Sequence, residues 1–226
     1  MAQLQTRSRV AAGPPRPVSM LAQLSTRGRI AAGVVAAVLI AMIGFTIGLL
    51  SARPDYPGDG SADVGFARDM SAHHAQAVEV GMIAFQNANL PEVRTLGGDI
   101  AVTQQGQIGT MQGWLQQWGV GPNSSSPPMS WMPEGQRALN GNLMPGMATR
   151  EEIAKLKAAT GTDLDILFLQ YMLRHHLGGI HMVDGVLAEN PSPQVKEMAE
   201  TIKKNQSGEV VVMENLLKQL GAQPIN

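Results

Sequence analysis

The chain has 226 residues, enough for one substantial domain with appendages, and a net charge of only −1 that is unevenly spread. Residues 1–50 carry five Arg and no acid, whereas the remaining 176 carry 12 Lys+Arg against 18 Asp+Glu, and an acidic main body excludes nucleic-acid binding, which needs a cationic face. Cysteine is absent, which removes disulfides, thiolate metal sites and Cys nucleophiles, while methionine is abundant at 14.

Residues 1–26, rich in Pro, Arg, Ser and Ala, read as a disordered cytoplasmic tail. Ile30 to Leu50 is an uninterrupted apolar run of 21 residues, about the length that spans a bilayer. Arg27 and Arg29 precede it, so the positive-inside rule keeps the N-terminus in the cytoplasm and sends the rest out. The expectation is a signal-anchor over 27–52, which makes this a single-pass protein of the cell membrane with its main domain on the extracytoplasmic side. A cleaved signal peptide is the competing reading, although Leu50-Ser51-Ala52 is a weak cleavage site. Residues 53–60 form a Pro/Gly linker.

Four long helical patterns follow. The first spans about Ala62 to Asn89, and Pro91 opens a second that runs to Trp118 with Gly119 as its stop. A connection over 120–160 breaks the pattern and holds Met129, Met132, Met144 and Met147, placed either as thioether donors or as a lid. Within it, Thr149 and Glu152 make a capping box for a short helix to about Ala159. Thr162 is expected to cap the third long helix, to about Glu189, and Pro191 and Pro193 lead into the fourth, ending near Leu220.

The second half of this pattern repeats the first. Asp63, Phe66, Met70, His73 and His74 return as Asp165, Phe168, Met172, His175 and His176, 102 residues later. At the same offset Val93, Ile100, Gln104, Met111, Leu115 and Gly119 match Val195, Ile202, Gln206, Met213, Leu217 and Gly221. Each repeat, 61–119 and 162–221, is a helical hairpin that cannot bury its apolar stripe alone, so the two together predict an all-α antiparallel four-helix bundle over 61–221.

Phe66, Met70, His73, Ala77 and Val80 fall on a 4-3-4-3 spacing, as do Phe168, Met172, His175, Gly179 and Met182. That spacing is an inward seam. His73 and His175 therefore point into the bundle, and His74 and His176 lie about 100° round the helix on its flank. Each is one turn from Met70 or Met172 and can meet it. Buried imidazoles need partners, and a metal satisfies several at once. Imidazole plus thioether without thiolate favours copper, above all Cu(I), over zinc. A purely hydrogen-bonded polar core is the competing reading of the same rings. Met111, Met182, Met213, His181 and Glu79 form an outer set of candidate donors, with His181 expected at the periphery. Gln104 and Gln206 are expected to orient the rings through the second imidazole nitrogen. The Glu pair and Glu-x-x-His set of di-iron bundles is missing.

The doubled Phe-x-x-x-Met-x-x-His-His, with the lead-in Met144-Pro145-Gly146-Met147-Ala148-Thr149 before its second copy, resembles the bacterial domain-of-unknown-function family 305 over roughly 60–221. The resemblance implies a ferritin-like fold, export or membrane anchoring, and for some members copper binding and resistance, with Met70, His73, His74, Met172, His175 and His176 as the candidate ligands. It also implies an uneven pair of half-sites. The family's Gly/Ala-Ile-x-Met stretch stands intact as Gly179-Ile180-His181-Met182, but Val80 takes the place of methionine in the first copy, leaving that half poorer in sulfur.

Catalytic triads, phosphate loops and paired catalytic carboxylates are not found. Three functions remain in play: an exported copper-binding protein, a metal-dependent oxidoreductase, and a metal-free structural or partner-binding bundle, with homo-oligomerisation left open.

Overall fold

A computed structural model describes residues 25–51 and 55–225; positions 1–24 of the cytoplasmic tail expected over 1–26, position 52 at the end of the expected anchor and linker positions 53–54 lie outside the described residues. The chain divides into two compact units, Met1–Asp55 and Tyr56–Asn226.

The first unit holds one helix, α1 (Thr26–Ser51). Its mean hydropathy reaches 2.6 over an 18-residue window and none of its side chains is buried. At 1.5 Å per residue it is about 39 Å long, enough to cross a hydrocarbon core of about 30 Å. Such a helix near the N-terminus fits a signal sequence or a membrane anchor.

The second unit is all-helical: α2 (Ala62–Asn87), α3 (Pro91–Gln117), α4 (Arg150–Ala158), α5 (Gly161–Ala188) and α6 (Pro193–Gln219). Among the described residues there is no strand, only an isolated bridge between Asn140 and Leu143. The helix ends follow local chemistry. Ser61 accepts from Val64 N at 3.3 Å, and Thr149 with Glu152 closes a complete capping box. Thr160, rather than Thr162, occupies the N-cap position of α5, and it makes no side-chain cap bond. After α3, Gly119 at φ 72° lets Val120 N reach Leu115 O at 3.0 Å; after α6, Gly221 at φ 69° lets Ala222 N reach Leu217 O at 2.9 Å. Both are Schellman stops, which need a residue with positive φ.

Two antiparallel hairpins, α2/α3 and α5/α6, join mainly along α2 and α5. The pairing direction is fixed by reciprocal caps. Asp165 at the start of α5, fully buried, accepts from Asn89 N at 2.8 Å and Leu90 N at 3.1 Å in the α2–α3 turn. Asp63 at the start of α2 accepts from Ser192 N at 2.9 Å and Ser192 Oγ at 2.7 Å in the α5–α6 turn. Each hairpin thus supplies the carboxylate that satisfies the orphan donors at the other's turn.

Because α2 and α5 run antiparallel and cross near their midpoints, the core forms in two parts. One contains Val64, Phe66, Met70, Met111, Leu115, Met182, Val186 and Ile202. The other contains Ala77, Val80, Ala84, Ile100, Phe168, Met172, Met213 and Leu217. The seam residues expected from the 4-3-4-3 spacing are all buried. Between the two parts lies a buried polar layer formed by His73, His74, His175, His176, Gln104 and Gln206, none more than 3% exposed.

Candidate metal centre

The layer begins with the Met-x-x-His-His segments, which bring two adjacent imidazoles from α2 and two from α5 to the helix crossing. His73 and His175 stack, with ring centroids 3.8 Å apart and planes 30° apart. His74 and His176, expected on the flank, are fully buried because α3 and α6 cover that flank.

Every one of the four rings is engaged through Nε2. His73 Nε2–H donates to Pro145 O at 2.9 Å, His175 Nε2–H to His73 O at 3.0 Å, His74 Nε2–H to Gln107 Oε1 at 2.8 Å, and His176 Nε2–H to Glu209 Oε2 at 2.5 Å. Carbonyl and carboxylate oxygens only accept, so these contacts put the proton of a neutral ring on Nε2 and leave a lone pair on Nδ1. All four Nδ1 atoms are buried and lack a hydrogen-bond partner, as do both amide atoms of Gln104 and Gln206. Unsatisfied groups in such number at one depth are rare in a native core and call for a specific reason.

Burial keeps His73, His74 and His175 in the neutral form. Burial, reinforced by the neighbouring His176, lowers His73 to about 4 despite the Pro145 bond. Burial and the adjacent His73 lower His74 to about 3. Burial and the other three imidazoles hold His175 well below its usual value. At neutral pH these three rings carry no charge and present free lone pairs.

The donor set suits a soft ion. Met70 and Met172 are fully buried one turn from His74 and His176, and Met111 and Met213 are fully buried on α3 and α6. Among the described residues no group of three or more His, Asp or Glu is placed to hold an ion as it stands. The reason is visible in the stacked pair: a lone pair lies in its ring plane, so two nearly parallel planes cannot both point at one ion about 2 Å away until a ring turns.

Met182 packs with Met70 rather than with Met172. The antiparallel crossing carries the end of α5 to the start of α2, so the sulfur that Val80 lacks is returned to the Met70 side from the other hairpin. Glu79 is exposed and pairs with Lys157 Nζ at 2.6 Å, away from the layer. His181 sits at the periphery, with Nε2 donating to Gln136 O at 2.7 Å. Gln104 and Gln206 lie in the layer without contacting the imidazole nitrogens; Gln107 and Glu209, one turn further on, fill that role. Those two residues also stand 102 apart, and matching the repeats by geometry rather than by identity would have found them.

The connection between the hairpins covers the layer. Gln76 clamps Ala148, donating to its carbonyl at 2.9 Å and accepting from its N–H at 2.6 Å. Glu152 accepts from both terminal nitrogens of Arg174, at 2.9 and 2.7 Å. A Cβ on Gly178 would meet Pro145 O at 2.0 Å, so only glycine lets the loop lie this close to α5. Met129, Met132 and Met144 are buried against the bundle, and Asp69 accepts from Met129 N at 2.7 Å and Trp131 Nε1 at 2.8 Å. A cavity of about 300 Å³ bordered by Met144, Met147, Glu152 and Arg174 opens beside this cover.

The sequence profile of Domain of unknown function (DUF305) matches residues 63–217. A Streptomyces coelicolor DUF305 protein, described by name as secreted, has a crystal structure similar to this chain at 41% identity and a TM-score of 0.69, with 75% of this chain and 99% of that one covered. A DUF305 fragment from Deinococcus radiodurans is similar at 31% identity and a TM-score of 0.58, covering 70% and 96%. CopM in its Cu(II)-bound form is similar at 25% identity and a TM-score of 0.55, again covering 70% and 96%. Comparison with curated proteins returns no match.

Proposed function

The chain belongs to the DUF305 family, and on that premise we propose that it is a membrane-anchored, extracytoplasmic copper-binding protein that holds copper in the buried His/Met layer. One observation carries the reading: four buried imidazoles each spend Nε2–H on a protein acceptor and leave Nδ1 without a partner. A hydrogen-bonded, metal-free layer would give those atoms partners, because each costs about 1–3 kcal/mol unpaired. Imidazole with thioether and no thiolate selects copper over zinc, and the thioethers favour Cu(I). CopM, a relative at 25% identity, is a copper-bound protein. The ligands are His73, His74, His175 and His176 with Met70 and Met172; Met111, Met182 and Met213 are further sulfur donors.

Helix α1 serves as the anchor in this reading. It leaves its apolar side chains uncovered, and Arg27 and Arg29 in its first turn keep the N-terminus in the cytoplasm. The role is that of a copper buffer or carrier rather than an enzyme.

The test is copper titration of full-length chain recovered from the alkali-washed membrane fraction. The expected result is stoichiometric Cu(I) binding that disappears in the His73→Ala/His175→Ala double variant. Undiminished affinity in the double variant, or a chain found only in the soluble fraction, contradicts the corresponding half of the proposal.

A further inference from the structure

The two histidines at the outer edges of the layer are held by residues that differ in one respect. Gln107 and Glu209 occupy the same place in their hairpins, each 33 positions beyond the histidine it contacts. His74 and His176 are equally buried, at 0% exposure. His74 donates to a neutral amide oxygen at 2.8 Å, and His176 to a carboxylate oxygen at 2.5 Å. Glu209 remains 23% exposed, so its charge keeps partial contact with water while its oxygen reaches the buried ring. Among the described residues it is the one carboxylate hydrogen-bonded to a histidine of the layer.

Resting on the copper-binding reading above, we propose that Glu209 is a positioning residue that makes the His176 half of the layer the stronger copper-holding half, and that Gln107 leaves the His74 half weaker. Hydrogen bonds to an ionised acceptor are roughly twice as strong as neutral ones. A carboxylate on the far nitrogen pushes electron density through the ring, makes Nδ1 a better donor and locks the ring's orientation. It also places a negative charge one imidazole away from the ion, where low dielectric enlarges the attraction. An amide oxygen does the orienting without the charge. The repeats place Met70 with Met111 on one side and Met172 with Met213 on the other, and Met182 joins the Met70 side; a thioether carries no charge, so this extra sulfur does not imitate the carboxylate's preference for the more highly charged ion.

The charge has a consequence that packing alone lacks. Attraction to the carboxylate scales with ion charge, so Glu209→Gln weakens Cu(II) binding more than Cu(I) binding. The experiment is competitive titration of the detergent-solubilised full chain with Cu(I) and Cu(II) against chelators of known affinity. The variants are wild type, Glu209→Gln, Gln107→Glu and the double exchange, each with its urea midpoint checked. The expected result is a tighter and a weaker binding step in wild type. Glu209→Gln then weakens the tighter step by about 10–100-fold, with the larger loss for Cu(II). Gln107→Glu tightens the weaker step, a gain that misfolding cannot imitate. The double exchange restores two unequal steps, with His74→Ala now removing the tighter one.

Wild type that binds copper and loses its tighter step in His176→Ala, yet is unaffected by Glu209→Gln and Gln107→Glu, overturns this inference and leaves the copper reading intact. Equal losses of Cu(I) and Cu(II) in Glu209→Gln also overturn it, because they show a packing role. Wild type that binds neither ion overturns both.

Discussion

Mild acid should unfold the metal-free bundle through its buried histidines. The perturbation is a drop from pH 7.5 to pH 5. His73 and His74 are held at about 4 and about 3 by burial, whereas an unfolded histidine titrates near 6.5. With folded values depressed, the unfolded chain binds more protons through this window. The stability contributed by neutral rings is therefore complete above about pH 6.5 and is lost as pH falls towards the folded values. At pH 5 each ring lies about 1.5 units below its unfolded value, worth ~2 kcal/mol at 1.36 kcal/mol per unit. The two rings together cost about 4 kcal/mol, and His175 adds in the same direction. Against a total stability of about 5–15 kcal/mol, that is a large share.

Two carboxylates separate cleanly from this effect. Asp69, raised by burial, acts in the opposite sense, since its protonation favours the fold. Glu152, lowered by its bond to Arg174, loses its contribution only below its ordinary value of 4.5. The assay is urea unfolding of the metal-free full chain by tryptophan fluorescence, because Trp114, Trp118 and Trp131 all lie in the helical unit. Stability should fall by about 4 kcal/mol between pH 7.5 and 5, and the slope should flatten in a His73→Gln/His74→Gln variant, which has nothing to protonate there. A wild-type curve flat across the window, or the same slope in the variant, refutes the reasoning.

Two further substitutions test the scaffold. Gly178→Ala drives a methyl group onto Pro145 O and should cost about 1–3 kcal/mol while loosening the cover over His73, read as a lower urea midpoint and faster hydrogen exchange around Pro145. Asp165→Ala strands the Asn89 and Leu90 N–H groups and should cost about 2 kcal/mol, more than Asp63→Ala, whose cap site is less buried; equal costs would show that burial does not set the penalty.

Several elements were legible because their causes are local. Pro91 and Pro193 open helices, Gly119 and Gly221 close them, and Thr149 with Glu152 boxes one in. The seam from Phe66 to Val80 and its counterpart from Phe168 to Met182 follow from helical period alone. Thr162 misled because a threonine stands on either side of Gly161, at 160 and 162, and either residue can open a helix. Gln104 and Gln206 drew attention as matched inward amides, while the actual ring partners, Gln107 and Glu209, differ in type and escaped a search for identities.

The sequence by itself determined that the chain has an apolar N-terminal helix and two hairpins with paired histidines on inward faces, because composition and period are properties of consecutive residues. Only the tertiary structure decided how those faces meet. The antiparallel crossing of α2 and α5 sends Met182 to Met70, buries His74 and His176 under α3 and α6, and brings Pro145 down on His73 across 72 residues of chain. Which ring nitrogen is free, and whether its opposite nitrogen faces a charge or an amide, depends on angstrom-scale register between distant segments, and that register is set by packing rather than by any local run of residues.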